Sequence, residues 1–452
     1  MFDLIVLGGG PAGYHGAAKA GQAGFSTLLI EKGPLGGVCL NEGCIPSKTL
    51  LFSSKLFSQA KNSRAYGVTV SDVAFDLSTV MARKQKIIEM HRRGIAGTMK
   101  KNSVIVETAL GHLLPKTDVF NVQVNEKIFQ GKRLLICTGA EAARLPIIGS
   151  DQSFVKTNKE ILSLDSIPKN FVVVGAGAIG LEFASFFAEI GSTVTVVELM
   201  PFIGGALDNE IGLALKRELE KINIRFLLQA RIEAIGDHAV IVSSESAQST
   251  IAADTVLLSV GRRPVITGFG LENLNVKIDN NAIVTNENGR TNVDGVWAAG
   301  DVNGKSMLAH VAYREADVCI DDMTGKKSSV NYDAVPQVIY THPEVASVGL
   351  TQEEAQKRAM DVFVAKLPLS CNGRYGAENE GGRGICKAVV KKADRTLLGV
   401  HMIGGACSEM IFGAAMLVAQ KATLSDIDAM VFPHPTVSEI IKDTVIQIPD
   451  EK

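Results

Sequence analysis

The 452-residue sequence has little of what marks a specialised environment. Its seven cysteines are too few in so long a chain for the disulfide framework of a secreted protein. No apolar run approaches the ~20 residues of a membrane span. Neither sign of charge dominates: 46 Lys and Arg stand against 48 Asp and Glu, so nothing points to nucleic acid or an anionic membrane as the main partner. Met1-Phe2-Asp3 leads into a strand without a basic n-region or Arg-rich presequence. A bacterial cytoplasm is therefore the expected compartment, with a mature organelle protein as the alternative. What is present is an ordinary globular balance, 46% hydrophobic and 21% charged, in a length that suggests two to four domains.

One pattern occurs twice. Leu4-Ile5-Val6-Leu7 reads as a buried parallel strand and opens into Gly8-Gly9-Gly10-Pro11-Ala12-Gly13, a G-x-G-x-x-G turn. The first glycine suits a tight turn, the second lets backbone approach a pyrophosphate, and the third permits close helix–strand packing. A helix from about Ala12 to Ala23 would aim its positive end at the phosphates, and the strand Ser26–Glu31 ends in an acid placed for ribose hydroxyls. Phe171–Val174, Gly175-Ala176-Gly177-Ala178-Ile179-Gly180, a helix through Glu189, and Thr193–Glu198 repeat the unit. From first glycine to acid is 23 residues in both, Gly8 to Glu31 and Gly175 to Glu198. Two complete units mean two dinucleotide sites, the architecture that electron transfer between two nucleotide cofactors needs. Glu198 would accept from a ribose 2′-OH and repel a 2′-phosphate, and Leu199 through Ala206 offer no cation; NAD(H) is expected over NADP(H).

Between the units lies Gly36-Gly37-Val38-Cys39-Leu40-Asn41-Glu42-Gly43-Cys44-Ile45-Pro46-Ser47-Lys48. A C-x4-C pair can meet on one helical turn or a tight bend, as a disulfide or as metal ligands. No second pair at ligand spacing exists elsewhere, so zinc is poorly supported and a redox disulfide fits better. Lys48, one helical turn past Cys44, could lower a thiol pKa, and Pro46 suits an early helical position. Residues from about 71 to 100 read as a helix with a solvated basic face. Val104–Val106 and Val119–Val124 read as strands of a small meander. Cys137, in Leu134–Gly139, reads as a small buried hydrophobe. Ser243–Thr250 is polar enough for a hairpin tip. Strands at Gln337–Tyr340 and Cys386–Val390 and helices at 351–358 and 408–421 follow. In Phe432-Pro433-His434-Pro435-Thr436-Val437-Ser438-Glu439, spacing alone gives a T-x-x-E capping box.

These motifs, with Thr291–Asp301 and Met307-Leu308-Ala309-His310, resemble the class I pyridine nucleotide-disulfide oxidoreductases in order and over essentially the whole chain. The resemblance implies an α/β fold with two Rossmann-like FAD/NAD(P)-binding domains, the NAD domain inserted in the FAD domain, and a C-terminal α+β dimerisation domain. The implied segments are 1–145 and 266–333 for FAD, 146–265 for NAD, and 334–452 for the dimer interface. It places FAD against Gly8, Gly10, Ala12, Gly13, Glu31, Lys32, Gly37, Val38, Cys39, Lys48, Gly111, His112, Thr138, Gly139, Asp301 (on the ribityl chain), Met307, Leu308, Ala309 and His310. NAD is placed against Gly175, Ala176, Gly177, Ala178, Ile179, Gly180, Glu182, Glu198, Ile232, Gly261 and Arg262. Arg262 and Arg263 resemble the loop closing the NAD domain rather than a phosphate clamp.

By the same resemblance Cys39 is the interchange thiol and Cys44 the charge-transfer thiol of a redox disulfide. His434, oriented by Glu439, is a base supplied from the neighbouring subunit of a homodimer, and Lys48 pairs with Glu182. Glu182 read bare would be an acid in the first helical turn. No metal is implied. Cys-Ile-Pro-Ser-Lys fits the branch that oxidises dihydrolipoyl groups on a carrier of a 2-oxo acid dehydrogenase or glycine cleavage complex, with NAD+ as acceptor. Glutathione- or mercuric-reductase-like activity and a purely structural subunit of such a complex are the alternatives. The tail 446–452 lacks the vicinal cysteines of mercuric reductases. Phe432 stands where the branch usually has a histidine, and Val38 and Glu42 replace a usual Thr and Val.

Overall fold

The computed structural model describes residues 1–244 and 247–449 and divides them into two compact units. The first comprises Met1–Thr49, Thr79–Ala143 and Gly261–Val330. Its centre is a parallel sheet in the order Val296–Ala298, Leu134–Ile136, Leu4–Leu7, Thr27–Glu31, Ile105–Thr108. Alternation along Leu4–Leu7 divides the core. Leu4 and Val6 face helices Pro11–Gln22 and Ala309–Met323 through Ala17, Ala20, Ala316 and Ile320. Ile5 and Leu7 face Phe120 and Val122 of the antiparallel sheet Gly111–Leu113, Phe120–Val124, Lys127–Gly131. Both faces of the inner strands are thus buried, which is why Leu4–Leu7 and Leu134–Ile136 are continuously apolar. Cys137 is buried in the first of these layers, as expected.

Two expectations are corrected here. The helix spans Leu77–Lys101, and 71–76 are not helical. Asp76 accepts from the Ser78 N–H at 2.9 Å, satisfying a first-turn donor and stopping the helix from extending back. Ile105–Thr108 belongs not to the meander but to the parallel sheet, where Leu28 pairs with Ile105, because the long helix serves as its crossover.

The second unit comprises Leu50–Ser78, Arg144–Val260 and the chain from Asn331. A parallel sheet in the order Ile224–Leu227, Thr193–Val197, Asn170–Val174, Thr255–Leu258, Val155–Lys156 again centres on the strand leading into a glycine turn. An antiparallel sheet, Ala230–Gly236, Ala239–Ser244 and Gln248–Ala252, covers one face. Its second hairpin keeps pairing as far as Ser243 with Gln248, so the expected tip at 243–250 is shorter, and 245–246 lie outside the described residues. From Gln337 a five-stranded antiparallel sheet carries helices Cys407–Ala419 and Glu439–Val445 over a core including Met402, Ile411, Leu417 and Ile441. No helix among the described residues is long and apolar enough to cross a membrane.

Candidate active site

The two glycine turns have the same geometry. Gly8 has φ +100 and Gly175 φ +97; a Cβ would lie 2.2 Å from Cys137 O at the first and 2.6 Å from Ser259 O at the second. Only glycine fits a turn pressed this closely on the neighbouring strand. Gly13 and Gly180 are held against the carbonyls of Gly8 and Gly175, where a Cβ would sit at 1.7 and 2.1 Å. The middle glycines differ: a Cβ on Gly10 would meet only Gly37 Cα, at 3.7 Å, and one on Gly177 nothing within 4 Å. They open onto space that a diphosphate can enter, at the N-termini of helices Pro11–Gln22 and Ala178–Glu189. Ala12 is the second residue of the first helix, and Ala176, Ala178 and Ile179 fill the second turn.

The acids do more than wait for ribose. Glu31 accepts from the N–H of Gly9 at 2.5 Å and of Gly33 at 2.8 Å. Glu198 accepts from Ala176 at 2.6 Å and Met200 at 2.8 Å. In each unit the acid ties the glycine turn to the loop after its own strand. Lys32 beside Glu31 is exposed, and Ile232 is buried in the covering sheet of the second unit.

Further residues expected near FAD surround the first turn. Gly111 is buried, with Ile30 and Leu7 side chains 3.1 and 3.2 Å from where a Cβ would be, while His112 beside it is exposed. Thr138 Oγ1 donates to Val265 O at 2.7 Å, and Gly139 takes φ +72. Asp301 opens the short helix Asp301–Asn303; Glu315, itself buried, accepts from Gly300 N–H at 2.6 Å and Asn303 Nδ2 at 2.8 Å and so fixes that turn. Burial pushes the Asp301 carboxyl up, against the pull of Arg262, whose Nε lies 3.8 Å away. Met307 and Leu308 lead into the helix at Ala309, with His310 exposed on its first turn.

Arg262 was expected on the NAD side. Its guanidinium instead donates to Ala140 O and faces Asp301, because strand Arg262–Pro264 pairs with Ala140–Ala142. Arg262 thereby braces the residues around Asp301. Gly261 next to it keeps φ +115.

Gly36, at φ +105, caps a short helix Gly37–Glu42; Gly43 breaks it, and a second helix starts at Cys44. The cysteines therefore meet across a bend between two helices. Val38 and Cys39 are half-buried, and both cysteines are thiols in this structure. The Cys39 thiol is raised above its ordinary range, first by its hydrogen bond to Cys44 and then by burial. Lys48 acts downward, as expected, but does not prevail. Asn41 Nδ2 donates to Gly37 O at 2.8 Å and its Oδ1 accepts from Arg92 Nε at 2.7 Å, pinning the first helix.

Sequence reading missed Tyr14 and Tyr313, whose hydroxyls hydrogen-bond to each other from helices Pro11–Gln22 and Ala309–Met323. Burial raises both, and negative charge on Cys39 or Cys44 raises both further. Only Tyr14, one turn beyond Gly10, carried a sequence signal.

Glu182 is buried in the second turn of its helix, not the first, and its Oε1 accepts from Tyr340 N–H at 3.1 Å. Helix-dipole compensation is therefore not its role. His434 Nδ1 lies 3.0 Å from Glu439 Oε1, while Glu439 Oε2 accepts from Thr436 N–H at 2.9 Å. The expected capping box is only half made: Thr436 Oγ1 donates to Pro433 O, and the helix begins at Glu439 after Ser438. The Thr436 N–H first, and His434 second, hold the Glu439 carboxyl below its ordinary range. The His434 side chain is 80% exposed. Among the described residues no group of three or more His, Cys, Asp or Glu could hold a metal ion.

Residues 2–316 match the pyridine nucleotide-disulphide oxidoreductases, and 335–445 match the dimerisation domain of that family. The chain belongs to this family. It is 39% identical to the mitochondrial dihydrolipoyl dehydrogenase of Pisum sativum over 99% of this chain and 92% of the relative. It is 35% identical to the dihydrolipoyl dehydrogenase of Zymomonas mobilis over 98% of this chain and 97% of that one. Among solved structures, the HOCl-induced flavoprotein disulfide reductase RclA from Escherichia coli aligns with a TM-score of 0.87 at 26% identity, over 99% of this chain and 100% of that one. The cofactors are FAD and NAD(H), and the two open glycine turns fit them.

Proposed function

We propose that the chain is a dihydrolipoyl dehydrogenase: it oxidises dihydrolipoyl groups on a carrier protein and delivers the electrons to NAD+. The observation that carries this is the pair of matching acid-clamped nucleotide turns in one chain with the Cys39–Cys44 dithiol. The similarity to dihydrolipoyl dehydrogenases from a plant and a bacterium supports the substrate.

Glu439 accepts the Nδ1 proton of His434, which leaves Nε2 as the basic nitrogen, exposed to an incoming thiol. That nitrogen takes the proton from a dihydrolipoyl thiol, since only the thiolate attacks a disulfide. The thiolate attacks Cys39 of the oxidised pair, Cys44 leaves, and the second substrate thiol releases the lipoyl disulfide. FAD, when bound, would supply the two-electron relay between the Cys39–Cys44 dithiol and NAD+. Gly8, Gly10, Gly13 and Glu31 hold the diphosphate and ribose of FAD, and Asp301 its ribityl chain. Gly175, Gly177, Gly180 and Glu198 do the same for the diphosphate and adenosine ribose of NAD(H). Lys48 would adjust the field at the flavin.

The chain works as a homodimer, in keeping with its dimerisation domain. Its proposed partner is a lipoylated domain of a 2-oxo acid dehydrogenase or glycine cleavage complex, in a bacterial cytoplasm. The proposed segments are 1–145, 146–265, 266–333 and 334–452. The pairing of Ala140–Ala142 with Arg262–Pro264 within the first unit supports a boundary near 145 and favours a return to that unit at Gly261, a few residues before 266. The test is NADH formation from dihydrolipoamide and NAD+ by the flavin-loaded protein. A rate no higher than with glutathione as the thiol would overturn the reading.

A further inference from the structure

Away from the cysteines, a lysine is buried in a β-sheet. Lys387, on strand Ile385–Lys391, is 2% exposed, and its ammonium lies 2.8 Å from Oδ2 and 3.1 Å from Oδ1 of Asp208, which is 0% exposed. Asp208 is the N-cap of helix Asn209–Lys221, and its Oδ1 accepts from the N–H groups of Glu210 and Ile211. The cap is complete with Oδ1 alone. Oδ2 accepts no hydrogen bond and is held by the lysine's charge. His401, opposite Lys387 on the next strand and 1% exposed, sets its Nε2 2.9 Å from Leu350 O and leaves Nδ1 without a partner. Burying an ammonium in a sheet is costly unless its partner is fixed, so this pair does more than cap a helix.

The segment that ends at Asp208 begins at Glu198. Glu198 fixes its start through the N–H groups of Ala176 and Met200, and Gly204 N–H donates to Ala176 O at 2.8 Å in its middle. Gly204 and Gly205, at φ +81 and +69, make the loop permissive, so its anchors set its shape. Leu199, Met200 and Phe202 are exposed on it, beside the acid that meets the adenosine ribose.

We propose that Lys387 is a positioning residue for NAD(H): clamped on Asp208, it holds the far end of the 199–208 loop and thereby the Glu198–Ala176 frame of the nucleotide site. This rests on the proposed placement of NAD(H) at Gly175–Gly180.

Two variants of the flavin-loaded dimer test it: Lys387→Met, and Asp208→Asn with Lys387→Met, which keeps the cap and leaves no lone buried charge. KM for NAD+ should rise about tenfold in both, with kcat within about twofold of wild type. Anaerobic bleaching of the flavin by dihydrolipoamide, which needs no nucleotide, should be unchanged. KM within about twofold of wild type in the double variant overturns the proposal. Equal losses in bleaching overturn it too, since they mark general damage, and so does failure of both variants to retain FAD. Wild-type NADH formation is measured first; its absence would sink the nucleotide assignment rather than the role of Lys387.

Discussion

His434 and Glu439 form a hydrogen-bonded pair at 3.0 Å in which the carboxylate also holds the backbone N–H of Thr436. One group thus fixes the imidazole's tautomer and the loop it stands on. His434→Gln should lower kcat with dihydrolipoamide by about 10²–10⁴-fold, the usual worth of a general base. Glu439→Gln should cost less, because an amide oxygen still accepts the Nδ1 proton. Since Thr436 and His434 depress the Glu439 pKa, its stabilising contribution is present above its unfolded value and lost only as pH falls through the lower folded one. Protonation of Glu439 should therefore not set the low-pH limb of kcat/KM. A limb that moves with Glu439→Gln but not with His434 variants would reverse the roles.

The exposure of His434 leads to a subunit-mixing experiment. If the base serves the neighbouring subunit, dimers mixed from inactive Cys39→Ser and His434→Gln chains have both defects in one site and a wild-type second site. A random mixture should regain roughly a quarter of wild-type activity. Verified mixed dimers without activity would place His434 in its own subunit's site.

Cys44→Ser should bind FAD yet lose the long-wavelength thiolate–flavin absorbance on two-electron reduction. Persistence of that band would mean that Cys39, not Cys44, lies against the flavin.

Activity with NAD+ should far exceed that with NADP+. Glu198→Ala should weaken NAD+ by about 1.5–3 kcal/mol, the value of a hydrogen bond to a charged group. Comparable kcat/KM for the two nucleotides would refute the reading of Glu198.

Burial raises the Glu189 carboxyl to about 7 against 4.5, with Ser54 and Lys55 pulling it down. A carboxyl raised on folding stabilises the fold below its unfolded pKa, and that advantage is lost as pH rises through the folded value. Glu189→Gln should match wild type near pH 4.5 and gain on it up to pH 7, by as much as about 3 kcal/mol, then stay level. Denaturation midpoints across this range are the measurement; a constant difference at all pH values would exclude the mechanism.

The nucleotide turns were legible because everything they need is local: glycines at fixed offsets, an apolar strand before, an acid 23 residues after the first glycine. The Cys39–Cys44 bend and the His434–Glu439 pair are similarly short-range. What sequence could not give depends on distant partners. Arg262 goes to Asp301 because a strand 122 residues away supplies Ala140 O. Ile105 joins the parallel sheet because a helix carries it there. Tyr14 meets Tyr313, and Asp208 meets Lys387, across gaps of 299 and 179 residues with no periodic signal between them. The capping box failed on its other half: Glu439 still accepts from Thr436 N–H, but Thr436 Oγ1 turns to Pro433 O instead of the helix N-terminus.

Glu198's second duty bears on redesign. Converting the protein to a phosphorylated coenzyme by replacing this acid with arginine would remove a repulsive charge and add a cation, yet strip the acceptor from Ala176 and Met200. The engineered site would then be electrostatically right and mechanically slack. Successful conversion should need a compensating acceptor, such as a serine or asparagine within reach of those two amides, introduced together with the cation.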